Sequence, residues 1–307
     1  MDDAVVETRA IGKRYGRFEA VSELSLRVER GEIFALVGQN GAGKTTLLKI
    51  LCGLTPATSG GLELFGESAE RGLAKARART GAMIETPGFL PYLSARENLE
   101  YCRIQRGDAD RGETDAALRL VGLEGAGRKK FRQFSLGMKQ RLGLALAVMD
   151  GPELLILDEP INGLDPMGIK EFRDIILKLN REKGTTVLIS SHILGELSQI
   201  ATAYGFIDGG KLVEHIGAQA LREKCRSYLR IDVDDAQRAS RTLREKLGVT
   251  KFAAEGNTLR IDERMDEPAA FVKALVEDGT AVCRVRRAGI SLEQYFIGLV
   301  GGGKENA

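Results

Sequence analysis

Ile33-Phe-Ala-Leu-Val-Gly-Gln-Asn-Gly-Ala-Gly-Lys-Thr45 is the stretch of sequence that decides the fold of this protein. Its first five residues are apolar and β-rich, so they predict a strand that is buried on both faces of a parallel sheet. A helical pattern follows from Thr46 to Leu51. Strand, glycine-rich loop and helix in this order are typical of a phosphate-binding loop, the P-loop.

The glycine-rich loop carries the groups that bind phosphate. Its glycines let successive backbone amides turn towards phosphate oxygens, and the N-terminus of the following helix adds positive potential. Lys44 can reach the β and γ phosphates, and Thr45 offers a hydroxyl to Mg²⁺. A glycine-rich turn without a ligand is the alternative, and the flanking strand and helix disfavour it. The predicted nucleotide-binding residues are Gly38, Gln39, Asn40, Gly41, Ala42, Gly43, Lys44, Thr45 and Thr46.

Two further apolar runs, residues 154–157 and 186–190, end in side chains suited to catalysis. Carboxyl ends of parallel strands form the crevice where α/β sheets bind ligands. We therefore predict that Asp158 holds Mg²⁺ through water and that Glu159 polarises the attacking water. His192 follows the second run and can bind the γ phosphate or that water. A solvated loop for the carboxylates and a structural role for the histidine are the alternatives.

Composition narrows the class of protein. Of 307 residues, 45 are Lys or Arg and 43 are Asp or Glu, so the net charge of +2 provides no general attraction for nucleic acid. A hydrophobic content of 43% argues against a disordered chain.

No apolar run is long enough to span a membrane, and the acidic start is unlike a signal peptide, so we expect a cytoplasmic protein. The four cysteines show no metal-binding or disulfide spacing and are expected to be buried thiols, at positions 52, 102, 225 and 283.

The pattern along the chain divides it into parts. Alternating strands and helices predict an α/β P-loop core, a nucleotide-binding domain of about residues 4–220. A helix-rich, arginine-rich stretch predicts a helical subdomain inserted at about 86–150. Residues 221–300 read β-α-β-β-α-β, which predicts a small ferredoxin-like α+β domain. Residues 301–307 begin with three glycines and are expected to be a disordered tail.

Several motifs together resemble the nucleotide-binding subunit of an ABC transporter. After the P-loop come Phe-Ser-Leu-Gly-Met-Lys-Gln-Arg at 134–141, Asp-Glu-Pro at 158–160, Asn-Gly-Leu-Asp at 162–165, and His192. The resemblance covers about residues 4–220. It implies that two ATP molecules are sandwiched between two ATPase domains, where Ser135 and Gly137 act in trans on the partner's nucleotide. It also places Tyr15 against adenine, although a tyrosine on a strand face is the alternative.

The sequence departs from the family pattern at three positions. Leu136 replaces a glycine and Met138 a glutamine of the common Leu-Ser-Gly-Gly-Gln signature, which puts efficient hydrolysis in doubt. Ser135 can still cap the following helix. Glu85 stands where the family usually has a glutamine, and its charge beside Mg²⁺ could change metal affinity. These features are similar to ATPases of bacitracin-resistance and lantibiotic-immunity exporters, with a less specialised exporter as the alternative.

The resulting hypothesis is an ATP-hydrolysing subunit that drives export of a drug or peptide antibiotic. ATP and Mg²⁺ are its cofactors, and separate membrane-spanning chains are its partners. It forms an ATP-dependent dimer with itself or a related ATPase, works on the inner face of the cell membrane, and binds no nucleic acid. The alternatives are a soluble ABC ATPase acting on nucleic acid or macromolecular assembly, and a module that scarcely hydrolyses ATP. A single P-loop and the absence of sustained heptads disfavour the former, and Glu159 disfavours the latter.

Overall fold

A computed structural model describes residues 3–85, 87–107 and 112–301 of the chain. The chain divides into two compact units with a boundary between Ala218 and Gln219. The strands of the first unit are β1 (Ala4–Tyr15), β2 (Phe18–Glu29), β3 (Ile33–Val37), β4 (Ser59–Leu64), β5 (Thr80–Met83), β6 (Leu154–Leu157), β7 (Thr186–Ser191), β8 (Ala203–Asp208) and β9 (Lys211–Gly217). Its helices are α1 (Lys44–Leu51), α2 (Glu70–Ala78), α3 (Ala95–Arg106), α4 (Gly112–Leu120), α5 (Leu136–Val148), α6 (Pro166–Lys183) and α7 (Leu194–Leu197), and α8 (Ala218–Lys224) crosses the boundary.

A six-stranded sheet forms the centre of the first unit, in the order β5-β6-β7-β3-β8-β9. All of its pairings are parallel except that of β9 with β8. β3, β6 and β7 are buried at every position, as expected for central strands of a parallel sheet. The predicted α/β fold class is confirmed.

A second, antiparallel sheet has the order β2-β1-β4. Sequence analysis did not predict it. The alternation of buried and exposed residues in β1 is interrupted, because the pairing register shifts between Thr8 and Ile11 and again after Ile11. Ala10 and Glu23 have positive φ values of 46° and 47°, which ordinary strands do not have. These bulges hide the two-residue period that would identify a strand.

The helical segment between β5 and β6 contains α3, α4 and α5 with two short 3₁₀ turns. α3 begins with a capping box: the Ser94 hydroxyl accepts from the Glu97 amide, and the Glu97 carboxylate accepts from the Ser94 amide. Asn98, 1% exposed, bonds the preceding loop at the Leu90 amide and at three carbonyls. These bonds fix the start of the segment.

The second unit has a four-stranded antiparallel sheet in the order β11-β12-β10-β13. Its elements are β10 (Tyr228–Val233), α9 (Ala236–Glu245), β11 (Phe252–Glu255), β12 (Thr258–Ile261), α10 (Pro268–Glu277), β13 (Val282–Ala288) and α11 (Leu292–Gly301). From β10 to β13 this is the predicted β-α-β-β-α-β order. Buried side chains of α9 and α10 share one apolar core with the sheet.

Two expectations need correction or fall outside the described residues. Gly301 ends α11, so the chain is still helical at the first residue of the predicted tail, while 302–307 lie outside the described residues. The cysteines are not buried thiols as a group, because three are half-buried and Cys283 on the edge strand β13 is exposed.

Candidate functional site

The glycine-rich loop lies between β3 and α1, at the carboxyl edge of the parallel sheet. Gly41 and Gly43 have φ values of 85° and 105°, which residues other than glycine rarely adopt. A Cβ at Gly43 would also lie 2.5 Å from the Ala20 carbonyl oxygen, and a Cβ at Gly38 would lie 2.5 Å from that of Ile207. The loop therefore requires glycine for its conformation and for its close packing on neighbouring strands.

Lys44 is the first residue of α1 and is only 5% exposed. Its ammonium donates to the Gly38 carbonyl at 2.6 Å and the Gln39 carbonyl at 3.1 Å. Glu159 Oε1 lies 3.1 Å from the same nitrogen, an ion-pair distance without hydrogen-bond alignment. A buried ammonium needs such partners, and together they hold the positive charge inside the loop.

Asp158 directly follows β6 and ties the loop to the neighbouring strands. The Thr45 hydroxyl donates to Asp158 Oδ2 at 2.8 Å, and the Ser190 hydroxyl donates to Asp158 Oδ1 at 2.7 Å. The Ser190 oxygen also accepts from the Glu159 amide at 2.9 Å. Asp158 is 5% exposed and Ser190 is fully buried, so both carboxylate oxygens are occupied in a dry environment. The two acidic residues are therefore fixed by one serine on β7.

Glu159 connects Lys44 to His192. His192 is the residue after β7. Its Nδ1 donates a hydrogen bond of 2.8 Å to Glu159 Oε2. Glu159 has a φ of 46°, so its backbone is in the left-handed region. Nearby Glu196 lies close enough to His192 and Glu159 to interact with their charges, and burial raises the pKa of its carboxyl. Lysine, glutamate and histidine thus form a continuous chain of polar contacts beside the P-loop.

Glu85, predicted to lie beside the metal, follows β5 with a φ of 60°. Its carboxylate accepts a hydrogen bond of 2.6 Å from Lys49 of α1. This bond raises the pKa of the Lys49 ammonium. The side chain of Glu85 is 62% exposed. The structure thus places Glu85 against α1, in an ion pair with Lys49, and its role at a metal stays a prediction.

A cavity of about 220 Å³ opens beside the loop. It is lined by Phe18, Ala20, Asn40, Gly41, Gly43, Lys44, Thr45, Thr46 and Glu159. Tyr15, predicted to stack on adenine, pairs with Phe18 across the β1–β2 hairpin and does not line this cavity. The Lys13 ammonium lies 4.9 Å from the centre of the Tyr15 ring. Phe18, which is 64% exposed, is the aromatic ring at the cavity.

Ser135 and Gly137 lie at the start of α5. The Ser135 hydroxyl accepts from the Met138 amide at 3.3 Å and caps the helix. Both residues line a separate cavity of about 400 Å³ with the loop after β6, including Gly163. A Cβ at Gly163 would lie 2.9 Å from the Leu136 side chain, so the leucine fits because position 163 is glycine. Within the described residues, the lining of this cavity shares no residue with that of the P-loop cavity.

Sequence analysis missed Ser190 and Phe18. The strand end Ser190-Ser191-His192 was recognised, but only its histidine was assigned a role. The available signal was position, because a hydroxyl at the carboxyl end of a strand adjacent to β6 can reach the carboxylates there. Nothing in the sequence around Phe18 indicates that it lies at the cavity until the pairing register of the β1–β2 hairpin is known.

The donors at this edge suit Mg²⁺. Thr45 offers a hydroxyl and Asp158 a carboxylate, and Mg²⁺ is commonly held by one or two carboxylates together with phosphate oxygens. Among the described residues no group of three or more His, Cys, Asp or Glu side chains could hold a metal ion. A protein-only metal cage is therefore not present in that part of the chain. In the same residues, no helix has the length and apolar character needed to cross a membrane.

Comparisons with known proteins agree with this geometry. The family model described as ABC transporter matches residues 21–162. The bacitracin transport ATP-binding protein BcrA of Enterococcus faecalis is 41% identical over 97% of both chains. The lantibiotic transport ATP-binding protein SrtF of Streptococcus pyogenes is 40% identical over 71% of this chain and 95% of its own.

Solved structures give the same result. An ATP-binding subunit of an ABC transporter has a TM-score of 0.63 and 27% identity, covering 71% of this chain and 92% of its own. A dimeric ATP-binding cassette in a post-hydrolysis state, bound to ADP and Pi, has a TM-score of 0.63 and 25% identity. The match covers 69% of this chain and 98% of the cassette. The P-loop, the acidic strand end and the full-length similarity to BcrA lead to one conclusion: this chain belongs to the ABC transporter family.

Proposed function

We propose that this chain binds MgATP, hydrolyses it as one half of a dimer, and drives export of a peptide antibiotic by separate membrane-spanning subunits. The names of its relatives, which concern bacitracin and lantibiotic transport, support this substrate class. The similarity to BcrA extends over the C-terminal unit, whereas that to SrtF covers 71% of the chain. Bacitracin-like peptides are therefore the favoured cargo.

The 2.8 Å hydrogen bond between Thr45 and Asp158 carries the proposal for ATP. It joins the P-loop to the strand end that bears Glu159, so the phosphate-binding and water-activating groups share one edge of the sheet. Mg²⁺, held at Thr45 and Asp158, would neutralise phosphate charge there. Lys44, inside the loop, places its ammonium where the β and γ phosphates are bound. The amides of residues 38–46 supply further donors.

Glu159 and His192 perform the proton chemistry in this proposal. The Glu159 carboxylate orients the attacking water and accepts its proton. His192 donates from Nδ1 to Glu159 Oε2, which fixes the direction of the carboxylate. To donate to phosphate as well, the imidazole must also carry a proton at Nε2. Because Lys44 contacts the other oxygen of Glu159, binding of phosphate at Lys44 changes the partner of the catalytic carboxylate. Substrate binding and water activation are therefore coupled through one ion pair.

Dimerisation completes the site. Ser135 and Gly137 line a cavity different from that of the P-loop, which supports their action on the nucleotide of a second ATPase. The Ser135 hydroxyl and the amides at the start of α5 would contact the γ phosphate from the other side. The dimer would work on the inner face of the membrane, where the membrane-spanning chains bind it.

Two substitutions test the ATPase proposal. Lys44→Ala should abolish or severely weaken MgATP binding, and Glu159→Gln should retain MgATP and accumulate an ATP-bound dimer. The matched controls are Lys183→Ala and Glu182→Gln, two exposed residues at the end of α6. Nucleotide binding is measured by calorimetry and dimerisation by light scattering. Turnover by Glu159→Gln at the rate of the unaltered protein would refute its assigned role.

Recovery of partners tests the transport proposal. The chain is captured from detergent-solubilised native membranes in the presence of ATP, and co-purifying proteins are identified by mass spectrometry. A multi-spanning protein should be recovered, and bacitracin should stimulate ATP hydrolysis by the complex. Recovery of only soluble proteins or nucleic acid would reject transport and favour an ABC ATPase of the assembly or nucleic-acid class.

A further inference from the structure

The sheet of the C-terminal unit has one apolar face and one charged face. Leu229, Ile231 and Leu259 point into the core formed with α9 and α10. Residues that alternate with them must point to the opposite face. There, Arg230 of β10 lies directly opposite Arg260 of β12 on one side and Arg286 of β13 on the other. Three arginines thus form a row across three adjacent strands.

This row is unfavourable for the sheet alone. Like charges directly opposite each other destabilise an antiparallel pair, and here the central arginine has a like charge on both sides. Protection of a sheet edge accounts for Arg286 on the edge strand β13 but not for Arg230, because β10 lies inside the sheet. The side chains of Arg230 and Arg260 are 37% and 43% exposed, and Arg286 is exposed. The charges therefore face solvent.

Neighbouring side chains hold two of these arginines in fixed positions. Arg230 donates from Nε to Asp232 at 3.0 Å, and Arg260 donates from Nε to Asp262 at 3.2 Å. The Arg260 guanidinium also lies 4.3 Å from the centre of the Tyr228 ring. Arg230 also donates from a terminal nitrogen to the Thr258 hydroxyl at 3.3 Å. Each guanidinium has five N–H donors, more than these bonds use. The arginines are thus pre-organised for an anion.

Arg284, also exposed, lies directly opposite Asp232 and adds a fourth guanidinium to the face. Opposed residues in such a sheet are about 5 Å apart and alternate residues of one strand about 7 Å apart. The backbone positions that carry the four guanidinium groups therefore span a patch of about 10 by 7 Å. The acidic side chains flank the row of arginines along the strands, so the positive region is small.

We propose that this arginine row binds a compact soluble anion carrying two or more phosphate groups. Guanidinium groups match phosphate oxygens in paired hydrogen bonds, and several of them together suit a multiply charged ligand. An anionic membrane or a nucleic acid would extend over the flanking Asp232 and Asp262 and be repelled there. A compact anion seated on the row contacts the guanidinium groups between the two carboxylates. This site shares no residue with the P-loop and does not depend on the function proposed for it.

Calorimetric titration of the full chain with tripolyphosphate tests the site. The P-loop also binds phosphate, so the Lys44→Ala protein is titrated beside the unaltered one. We expect Lys44→Ala to retain a tripolyphosphate site on the C-terminal unit. Adding Arg230→Gln and Arg286→Gln should weaken binding at that site by about tenfold for each arginine removed. The matched control is Arg287→Gln, since Arg287 is next to Arg286 but bonds Asp266 and the Met265 carbonyl.

Each outcome of these titrations either supports the arginine site or overturns it. Retained binding by Lys44→Ala that is lost in the double arginine variant but not in Arg287→Gln supports it. Absence of tripolyphosphate binding in Lys44→Ala, or equal weakening by Arg287→Gln, would overturn it. Tighter binding of anionic phospholipid vesicles or a single-stranded oligonucleotide than of tripolyphosphate, dependent on the same two arginines, would also overturn it and assign the face to that partner.

Discussion

Ser190→Ala is the substitution for which the structure predicts the sharpest effect. The change removes a charge-assisted hydrogen bond to Asp158 and the acceptor of the Glu159 amide. A hydrogen bond to a charged group contributes about 1.5–3 kcal/mol, and an unsatisfied buried polar group costs about 1–3 kcal/mol. Since Ser190 is fully buried, water cannot replace the hydroxyl without rearrangement. We expect the free energy of unfolding to fall by about 2–4 kcal/mol.

The site should lose function beyond this loss of stability. Without the serine, the Asp158 carboxylate keeps its hydrogen bond from Thr45, and we propose that this pair binds Mg²⁺. The Mg²⁺ concentration for half-maximal ATP hydrolysis should therefore rise, and turnover should fall because Glu159 also loses its backbone anchor. Unfolding is followed in urea, and hydrolysis is measured across a Mg²⁺ titration at a temperature where the variant is folded.

Ser191→Ala is the matched control. Ser191 is 1% exposed and lies on the same strand, but its hydroxyl bonds the backbone of Ile193 and neither carboxylate. It should lose about 1 kcal/mol of stability and keep the Mg²⁺ requirement of the unaltered protein. An equal Mg²⁺ requirement in Ser190→Ala and Ser191→Ala would refute the argument that Ser190 positions the acidic pair.

Three further predictions concern stability and reactivity. Hydrogen bonding to Arg79 lowers the pKa of Glu153 to about 2, so this carboxylate stabilises the fold above its unfolded pKa and loses that contribution as pH falls from about 4 to about 2. Glu153→Gln should flatten the decline seen in urea unfolding, and an unchanged slope would contradict this. Burial raises the pKa of Cys52 to about 12, so iodoacetamide at pH 8 should label the exposed Cys283 first; equal labelling by mass spectrometry would refute the assignment. Gly163 has a φ of 75°, so Gly163→Ala should reduce stability by about 1–3 kcal/mol, and an unchanged thermal midpoint would exclude strain there.

The parallel core could be predicted because its strands are buried on both faces. β3 and β6 are short, wholly apolar and bounded by polar or glycine residues, so their signal does not depend on alternation. The antiparallel sheet could not be predicted in this way. β1 is half-exposed, and its register shifts around Ala10 place residues out of phase with a two-residue period.

The candidate site also contains residues that could be predicted from the sequence and residues that could not. Lys44, Thr45 and Asp158 follow from local order along the chain, and the structure brings them together. The sequence shows that Ser190 lies at the end of a strand, but its role depends on which strand lies beside β6. The ion pair between Glu85 and Lys49 was equally out of reach, since it depends on where α1 lies relative to the residue after β5.

The left-handed backbone of Glu159 has a consequence for directed evolution. Glycine or asparagine would adopt its φ of 46° at a lower conformational cost. A mutant library screened only for heat tolerance should therefore enrich glycine or asparagine at position 159 and discard the carboxylate. A library screened for ATP hydrolysis should retain glutamate and accept the lower melting temperature. Enrichment of different residues at position 159 in the two screens would show that the protein has lower thermal stability because it keeps the glutamate needed for turnover.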